Sequence, residues 1–302
     1  MLYGFDLGGT KIEFSVYDQQ LNLLSNQRVA TPADDYQAFL QIFADMVKQA
    51  DKEYGCRGMV GIGFPGAINT DDDTLICANL PGMNGKPLRQ DLEKLIDRRV
   101  AVQNDANCFL ISECYGGAAD GCKNVLGVTL GTGVGGALFV NGDVVNGLNF
   151  FAGEIGHYCI PATMTQKYPD LPLFISGLGH AGSFETYASG TGLGNIYNHF
   201  ADQPAKGPEI LERYRNGDEV ACKAVDIYLE VLAAGLSTSI MVLDPEAIVF
   251  GGGLAAFEEI YPELEKRLPA KLIPNVKLPK LCQAKFGGAG GVRGAALLNY
   301  RK

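Results

Sequence analysis

The chain has 302 residues, of which 39 are glycine, about twice the share of ~7% that is usual in proteins. Hydrophobic residues make up 47% and charged residues 20%, a balance typical of a soluble globular protein with room for two lobes and a cleft between them. The 25 basic and 34 acidic residues leave a net charge of −9, which argues against nucleic acid and anionic membranes as partners.

The sequence favours a cytoplasmic location. No run approaches the ~18 uninterrupted apolar residues of a membrane helix, and the N-terminus begins in a strand-like segment rather than a basic, apolar signal. The eight cysteines include no C-x-x-C pair, so we expect reduced thiols, mostly buried.

The first elements in the chain are a hairpin and a helix. Leu2–Phe5, the glycine turn Asp6–Lys11 and the alternating segment Ile12–Tyr17 predict a β-hairpin. Thr31–Pro32 predicts the N-cap and first position of a helix, whose apolar residues follow at helical spacing until Gly55 ends it.

Strands and helices then alternate. Met59–Phe64 predicts a short buried strand, Leu88–Ile96 a helix, and Val100–Gln103 a strand that leads into Asn104-Asp105. Such alternation is typical of the α/β class.

A similar pattern restarts in the second part of the chain. Val125–Leu130 and Ala137–Val140 predict strands on either side of the turn Gly131–Gly136. Ala221–Val242 predicts a long apolar helix, and Ala247–Phe250 a strand that enters a triglycine. The repeated strand, glycine turn and strand suggest two similar lobes that arose by duplication. We predict a smaller N-terminal α/β lobe over 1–118, a larger one over 119–288, and a C-terminal helix over 289–302 that packs back on the first lobe.

The turn Gly131–Gly136 matches the dinucleotide-binding pattern G-x-G-x-x-G. That motif must open a helix, whose N-terminus holds the pyrophosphate. A strand follows here instead, and Asn141-Gly142 is a strong signal for a second hairpin turn. The sequence therefore disfavours a nicotinamide or flavin site.

The two glycine hairpins are candidates for phosphate binding, although either one alone could be an ordinary tight turn. They can present backbone N–H groups and the hydroxyls of Thr10 and Thr132 to phosphates, and Lys11 adds a positive charge. Asp6 would carry a negative charge beside a polyphosphate, which is favourable only with a divalent cation between them. We expect Mg²⁺ there, held by Asp6 through water.

Motifs along nearly the whole chain resemble one known family, that of repressors, open-reading-frame proteins and sugar kinases (ROK). The motifs are Asp6–Lys11, Pro65-Gly66, Asn104–Asn107, Gly131–Gly136, Gly153–His157, Glu185 with Ser189-Gly190, and Gly251–Gly253. The resemblance implies a two-lobed actin/hexokinase-like ATPase fold with ribonuclease H-like lobes and an interlobe active-site cleft. It also implies a homodimer.

The implied activity is ATP-dependent phosphorylation of the 6-hydroxyl of N-acetyl-D-glucosamine. Glucokinase, fructokinase and N-acetylmannosamine kinase activities remain alternatives within the family, as does a non-catalytic sugar sensor. The family's regulators carry an extra DNA-binding region before the first hairpin, and the hairpin begins here at residue 2. We therefore expect a kinase rather than a repressor.

Asp105 is the candidate catalytic base, since phosphoryl transfer to a sugar needs a carboxylate that takes the hydroxyl proton. Asp105 could instead cap a helix that begins near Ala106. Asn104, Glu154, His157 and Glu185 suit hydrogen bonding to sugar hydroxyls, and the resemblance adds Gly66 and Asn79. A surface loop for Glu154 and a solvated helix for Glu185 remain the alternatives.

Glycine-rich segments and their neighbours form the candidate nucleotide site. Its predicted residues are Gly4, Asp6, Gly8, Gly9, Thr10, Lys11, Gly131, Thr132, Gly133, Val134, Gly135, Gly136, Gly251, Gly252 and Gly253.

The sequence departs from the family at its zinc motif. Relatives hold zinc with one histidine, which matches His157, and three cysteines. Those cysteines are replaced here by Ser176, Leu178 and Ser183, so we predict no structural zinc and weaker or altered activity. A rearranged site of His157, Cys159 and His180 is the alternative.

We expect the segment Ile160–Ser183 to be held instead by its own apolar residues. These are Leu171, Leu173, Phe174 and Ile175.

Overall fold

A computed structural model describes residues 1–77 and 80–300 as two compact units of mixed α/β structure. The first unit comprises residues 1–120, 143–152 and the segment from Lys285 onward, and the second comprises 121–142 and 153–284. The predicted lobe bounds, 1–118 and 119–288, differ from the bounds of these units and remain a proposal.

The strands are β1 (Leu2–Leu7), β2 (Lys11–Tyr17), β3 (Leu23–Ala30), β4 (Met59–Phe64), β5 (Ala67–Ile68), β6 (Leu75–Ile76), β7 (Val100–Asn104), β8 (Val125–Leu130), β9 (Val134–Val140), β10 (Asp143–Val144), β11 (Ala247–Gly251) and β12 (Lys280–Gln283). The α-helices are α1 (Tyr36–Tyr54), α2 (Leu88–Ile96), α3 (Asp105–Cys114), α4 (Ala162–Lys167), α5 (Glu185–Ala188), α6 (Gly190–Phe200), α7 (Gly207–Arg215), α8 (Glu219–Leu243), α9 (Ile260–Arg267) and α10 (Gly290–Leu297). Short 3₁₀ helices include Ile155–His157 and Gly253–Ala256.

The first unit is built on a sheet with the strand order β3-β2-β1-β4-β7. β1, β4 and β7 are parallel, whereas β2 pairs antiparallel with β1, and β3 pairs antiparallel with β2. The amphipathic helix α1 packs through Phe43 onto Phe5, which also stacks on Phe14, with ring centroids 4.0 and 4.4 Å apart. Because parallel strands end at the same edge, the residues after β1, β4 and β7 meet there.

The predicted start of α1 is wrong by four residues. The Thr31 hydroxyl donates to the Gly8 carbonyl oxygen (2.7 Å) instead of capping a helix. Asp35 is the N-cap, and its side chain accepts a hydrogen bond from the Ala38 N–H (2.9 Å). The predicted end is confirmed, because Gly55 is the left-handed C-cap.

The second unit is built on parallel strands β8, β11 and β12, with β9 antiparallel to β8. β9 follows the turn after β8, as the hairpin interpretation predicts. Helix α8 is long and apolar enough to cross a membrane, but 72% of its apolar 18-residue stretch is buried inside the protein. We therefore interpret α8 as the core helix of this unit.

Helix α10 lies close to β1 and β4 because glycines face it. A Cβ atom at Gly61 would lie 1.9 Å from the Ala295 carbonyl oxygen, and one at Gly4 would lie 2.1 Å from the Val292 carbonyl oxygen. Backbone atoms on both sides leave no flexible group that could yield.

Gly61→Ala is therefore expected to destabilise the protein by about 2–3 kcal/mol, since α10 must move away from the sheet. Urea unfolding measures this loss. Gly288→Ala is the matched control, because a Cβ there meets no atom within 4 Å. Equal stability of the two variants would contradict the packing argument.

Candidate active site

Two carboxylates lie at the carboxyl edge of the first sheet. Asp6 is near the end of β1, beside Gly291 in the first turn of α10, and Asp105 is the first residue of α3, directly after β7. Burial raises the pKa of Asp6 to about 6, helped by the negative charges of Asp105 and Glu13. Burial also raises the pKa of Asp105, although the backbone N–H of Ala106 donates to its Oδ1 (2.9 Å) and opposes that shift.

Asn104, not Asp105, is the N-cap of α3. Its Oδ1 accepts hydrogen bonds from the N–H groups of Ala106 (2.9 Å) and Asn107 (3.4 Å). Its Nδ2 donates to the Gly66 carbonyl oxygen (2.9 Å), which links two predicted sugar-binding residues. With the cap supplied by Asn104, the Asp105 carboxylate is not needed as the cap of α3.

Two residues that support this edge were not predicted. Gln103 Oε1 accepts hydrogen bonds from the Asn104 N–H (2.8 Å) and Asn107 Nδ2 (3.0 Å), and Gln103 Nε2 donates to Asn146 Oδ1 (2.8 Å). Asn146 comes from the segment after β10, so only the folded chain brings it to the end of β7.

The first glycine turn is tied down at its base and open at its tip. The Gly8 N–H donates to the Lys11 carbonyl oxygen (2.9 Å), and the Thr31 N–H donates to the Thr10 carbonyl oxygen (3.1 Å). Gly9, Thr10 and Lys11 are exposed, whereas Gly4 has a packing position against α10. The exposed tip suits contact with phosphates.

The second glycine turn borders a pocket of about 790 Å³ in the second unit. The Gly131 N–H donates to the Gly133 carbonyl oxygen (3.0 Å), and the Gly190 N–H at the start of α6 donates to the Gly131 carbonyl oxygen (2.7 Å). Among the residues that line the pocket are Gly131, Thr132, Gly253, Asn195, Lys206 and Arg215. No local pattern in the sequence marks the last three, which lie on α6, before α7 and at the end of α7.

The remaining predicted nucleotide residues have packing positions. Val134 to Gly136 belong to β9, and a Cβ at Gly136 would lie 2.2 Å from the Gly153 carbonyl oxygen. Gly251 ends β11, and Gly252 has a φ of +80° with no room for a Cβ beside the Leu130 backbone. These residues support the turn and the pocket by close backbone packing.

Three predicted sugar-binding side chains are near the second turn. The Nε2 atom of His157 lies 3.9 Å from Oε2 of Glu154, across the 3₁₀ helix. Glu185 begins α5 and is half-buried, and its carboxylate lies so close to Gly133 that a Cβ there would be 2.9 Å from Oε2. Asn79 lies outside the described residues.

The segment before α5 is held differently from the prediction. Leu171 and Phe174 pack on the core, but Leu173 and Ile175 are 52% and 70% exposed. Main-chain bonds between Ser176 and His180 and between Gly182 and Phe174 make a hairpin, both at 2.8 Å. The buried Tyr187 hydroxyl accepts from the Phe174 N–H (3.0 Å) and donates to the Pro172 carbonyl oxygen (2.8 Å).

Within residues 1–77 and 80–300, no three His, Cys, Asp or Glu side chains are grouped to hold a metal ion. The alternative site of His157, Cys159 and His180 is therefore not assembled. The expectation that the protein lacks zinc stays a prediction.

Comparison with known proteins identifies the family. The ROK family model matches residues 2–302. The chain belongs to the ROK family. It is 45% identical over 300 residues to the N-acetyl-D-glucosamine kinase of Yersinia pseudotuberculosis serotype O:3 (strain YPIII), with 99% of each chain covered.

Solved ROK structures have the same fold. The ROK hexokinase from Thermus thermophilus is 30% identical with a TM-score of 0.87, and the match covers 99% of this chain and 97% of that one. The ROK family glucokinase from Streptomyces griseus, solved with glucose and AMPPNP, is 29% identical with a TM-score of 0.73 and 98% of each chain covered. The predicted actin/hexokinase-like ATPase fold is confirmed.

Proposed function

We propose that this chain is an ATP-dependent sugar kinase that phosphorylates the 6-hydroxyl of N-acetyl-D-glucosamine and releases ADP. The observation that carries the proposal is the Asp105 carboxylate, placed at the start of α3 and not used as its cap, in a chain 45% identical to a curated N-acetyl-D-glucosamine kinase. A half-buried carboxylate whose pKa is raised by burial is suited to accept a proton from a substrate hydroxyl.

Asp105 acts as the general base in this proposal. Its raised pKa makes it a stronger proton acceptor than an ordinary aspartate. Asn104 fixes the start of α3 and the Gly66 carbonyl group, so the base is held in place before the sugar binds.

The sugar is bound by groups that pair with its hydroxyls. Glu154, His157 and Glu185 supply carboxylate and imidazole groups, and Asn104, Asn79 and the Gly66 backbone complete the proposed set. Half-buried carboxylates discriminate well, because a sugar that lacks the matching hydroxyl leaves them without a partner.

The nucleotide is bound by the two glycine turns and the second-unit pocket. The tip of the first turn, with Thr10 and Lys11, suits the phosphates, and the pocket beside Thr132 and Gly253 has the volume of a small-molecule site. Pocket residue Lys206 adds positive charge, whereas the Arg215 guanidinium is paired with the Glu259 carboxylate (2.7 and 2.9 Å).

Asp6 is a suitable residue to hold a magnesium ion. The raised pKa of Asp6 reports a buried carboxylate near a second negative charge, which a cation would relieve. Mg²⁺ is commonly held by one or two carboxylates together with substrate phosphates, and when bound it neutralises phosphate charge. Asp6 would hold it through water. Magnesium and a cytoplasmic location remain proposals, as does a homodimer, which rests on the family resemblance.

An ADP-release assay against a panel of sugars tests the proposed function. We expect kcat/KM for N-acetyl-D-glucosamine to exceed that for glucose, fructose and N-acetylmannosamine by at least ~10-fold, the size of one good pocket contact. A higher value for another sugar would assign a different kinase of the family. Sugar binding by calorimetry without turnover of any sugar would indicate a sensor.

A further inference from the structure

The first unit has a concavity at the end of its sheet that is opposite to Asp6 and Asp105. Its volume is about 800 Å³, similar to that of the pocket beside Thr132. Leu2 opens β1, Met59 opens β4, and Arg99 directly precedes β7. A strand of five or six residues spans roughly 17–20 Å, so this concavity is separate from the carboxyl edge of the sheet.

Its charge is opposite to that of the whole protein. Arg57, Arg98 and Arg99 line it, and no aspartate or glutamate is among its described lining residues. The Asp51 carboxylate pairs with Arg98, so Arg57 and Arg99 are the groups that favour an anionic ligand in a chain with net charge −9.

The three guanidinium groups differ in the hydrogen-bond donors that they leave free. Arg98 is fixed by the Asp51 carboxylate and by the Gly58 carbonyl oxygen (2.8 Å), yet its buried Nε has no hydrogen-bond partner among the described residues. Arg99 is exposed and makes no ion pair within the described chain. The Arg98 Nε is closed to solvent, so of these two residues it is the exposed Arg99 that can donate to a ligand.

Arg57 is only partly engaged. One of its terminal nitrogens donates to the carbonyl oxygens of Ile96 (3.2 Å) and Asp97, and the same nitrogen lies 3.6 Å from the exposed Asp97 carboxylate. This leaves the other side of the planar guanidinium group for a ligand.

The remaining wall suits a compact organic group. Met59, Leu298 and Tyr300 provide apolar and aromatic surface, and Asn299 fixes the segment after α10 by donating to the Val60 carbonyl oxygen (2.9 Å). A ligand that combines an anionic group with a ring would match both halves of this concavity.

We propose that this concavity is a binding site for a small organic phosphate, separate from the active site. Arginine forks match the geometry of phosphate oxygens, and the donors of Arg57 and Arg99 can pair with the three acceptor oxygens of a phosphate monoester, whereas a single carboxylate offers two. The proposal concerns binding alone and does not depend on the proposed kinase activity.

Residue-resolved modification of arginine tests the site directly. The intact protein is treated with phenylglyoxal, with and without 10 mM glucose 6-phosphate, and modification rates are read by mass spectrometry. We expect modification of Arg57 and Arg99 to slow at least three-fold, while Arg28, exposed on β3, is unaffected. Glucose with sodium chloride at matched ionic strength is the control and should protect neither.

A variant links the protection to the site. Arg99→Gln should abolish protection of Arg57, whereas Arg28→Gln, the same charge change in the same unit, should retain it. Unchanged rates at Arg57 and Arg99, or equal slowing at Arg28, would overturn the site. Protection by citrate that exceeds that by glucose 6-phosphate would overturn the assignment to phosphate.

Discussion

Asp105→Asn is expected to lower kcat for N-acetyl-D-glucosamine phosphorylation by roughly 10²–10⁴-fold, the contribution typical of a general base. The amide can still accept the hydrogen bond from the Ala106 N–H, so α3 and its Asn104 cap should remain intact. KM for the sugar should therefore change little. Steady-state ADP release with saturating ATP measures both constants.

Asp218→Asn is the matched control for this substitution. Asp218 also stands at a helix N-terminus, where its side chain accepts a hydrogen bond from the Ala221 N–H (2.8 Å), and asparagine is an equally good cap. It should leave kcat unchanged. If Asp105→Asn kept kcat within a few-fold of the parent, Asp105 would not be the base.

Asp6→Asn is expected to make the protein more stable and less active at neutral pH. The unfolded carboxyl group has a pKa near 3.9, and the folded one has a pKa of about 6. Between these values the folded state binds more protons, so stability falls as pH rises from about 4 to 6 and stays lower above it. The difference of about two pH units corresponds to about 3 kcal/mol at pH 7.5.

Removing the charge should recover up to that amount, and loss of the proposed link to the cation should lower kcat by roughly 10²-fold. Urea unfolding of both proteins at pH 7.5 and pH 4.5 tests the sign, because the advantage of the variant should shrink as pH falls through 6. Asp18→Asn is the control with the opposite sign, since hydrogen bonds from Asn22 lower the pKa of Asp18. A variant less stable than the parent at pH 7.5 would contradict the argument.

The sequence predicted those strands and helices whose pattern of apolar residues matches the face that they bury in the folded protein. β1, β2 and β4 have buried apolar faces, and α2 matches its predicted bounds because its apolar spacing is regular. β3 was not predicted, since its exposed and half-buried residues give an edge strand too few apolar positions to show a pattern. Threonine is a common N-cap residue, but the Thr31 hydroxyl donates its hydrogen bond to the first glycine turn instead of capping α1.

The site was predictable only where its residues are neighbours in sequence. Asn104 and Asp105 stand together at the end of β7, and each glycine turn is contiguous. Gln103 with Asn146, and Thr132 with Lys206, come together only through tertiary packing, which leaves no local pattern.

The packing of residues 160–183 also could not be predicted from the sequence. Its lost cysteines were visible in the sequence, but apolar content alone does not tell which side chains face the core. Tyr187, a buried residue outside the segment, supplies through its hydroxyl two of the hydrogen bonds that hold it.

The central claim is that this chain transfers phosphate to the 6-hydroxyl of N-acetyl-D-glucosamine with Asp105 as the base. Phosphorus–proton correlation NMR of the reaction product measures this directly, because it shows which sugar position carries the phosphate. The parent protein with ATP and Mg²⁺ should give a phosphorus signal coupled to the protons at carbon 6, and Asp105→Asn should give almost none in the same time. Phosphate at another position, or ADP formed without any sugar phosphate, would contradict the claim.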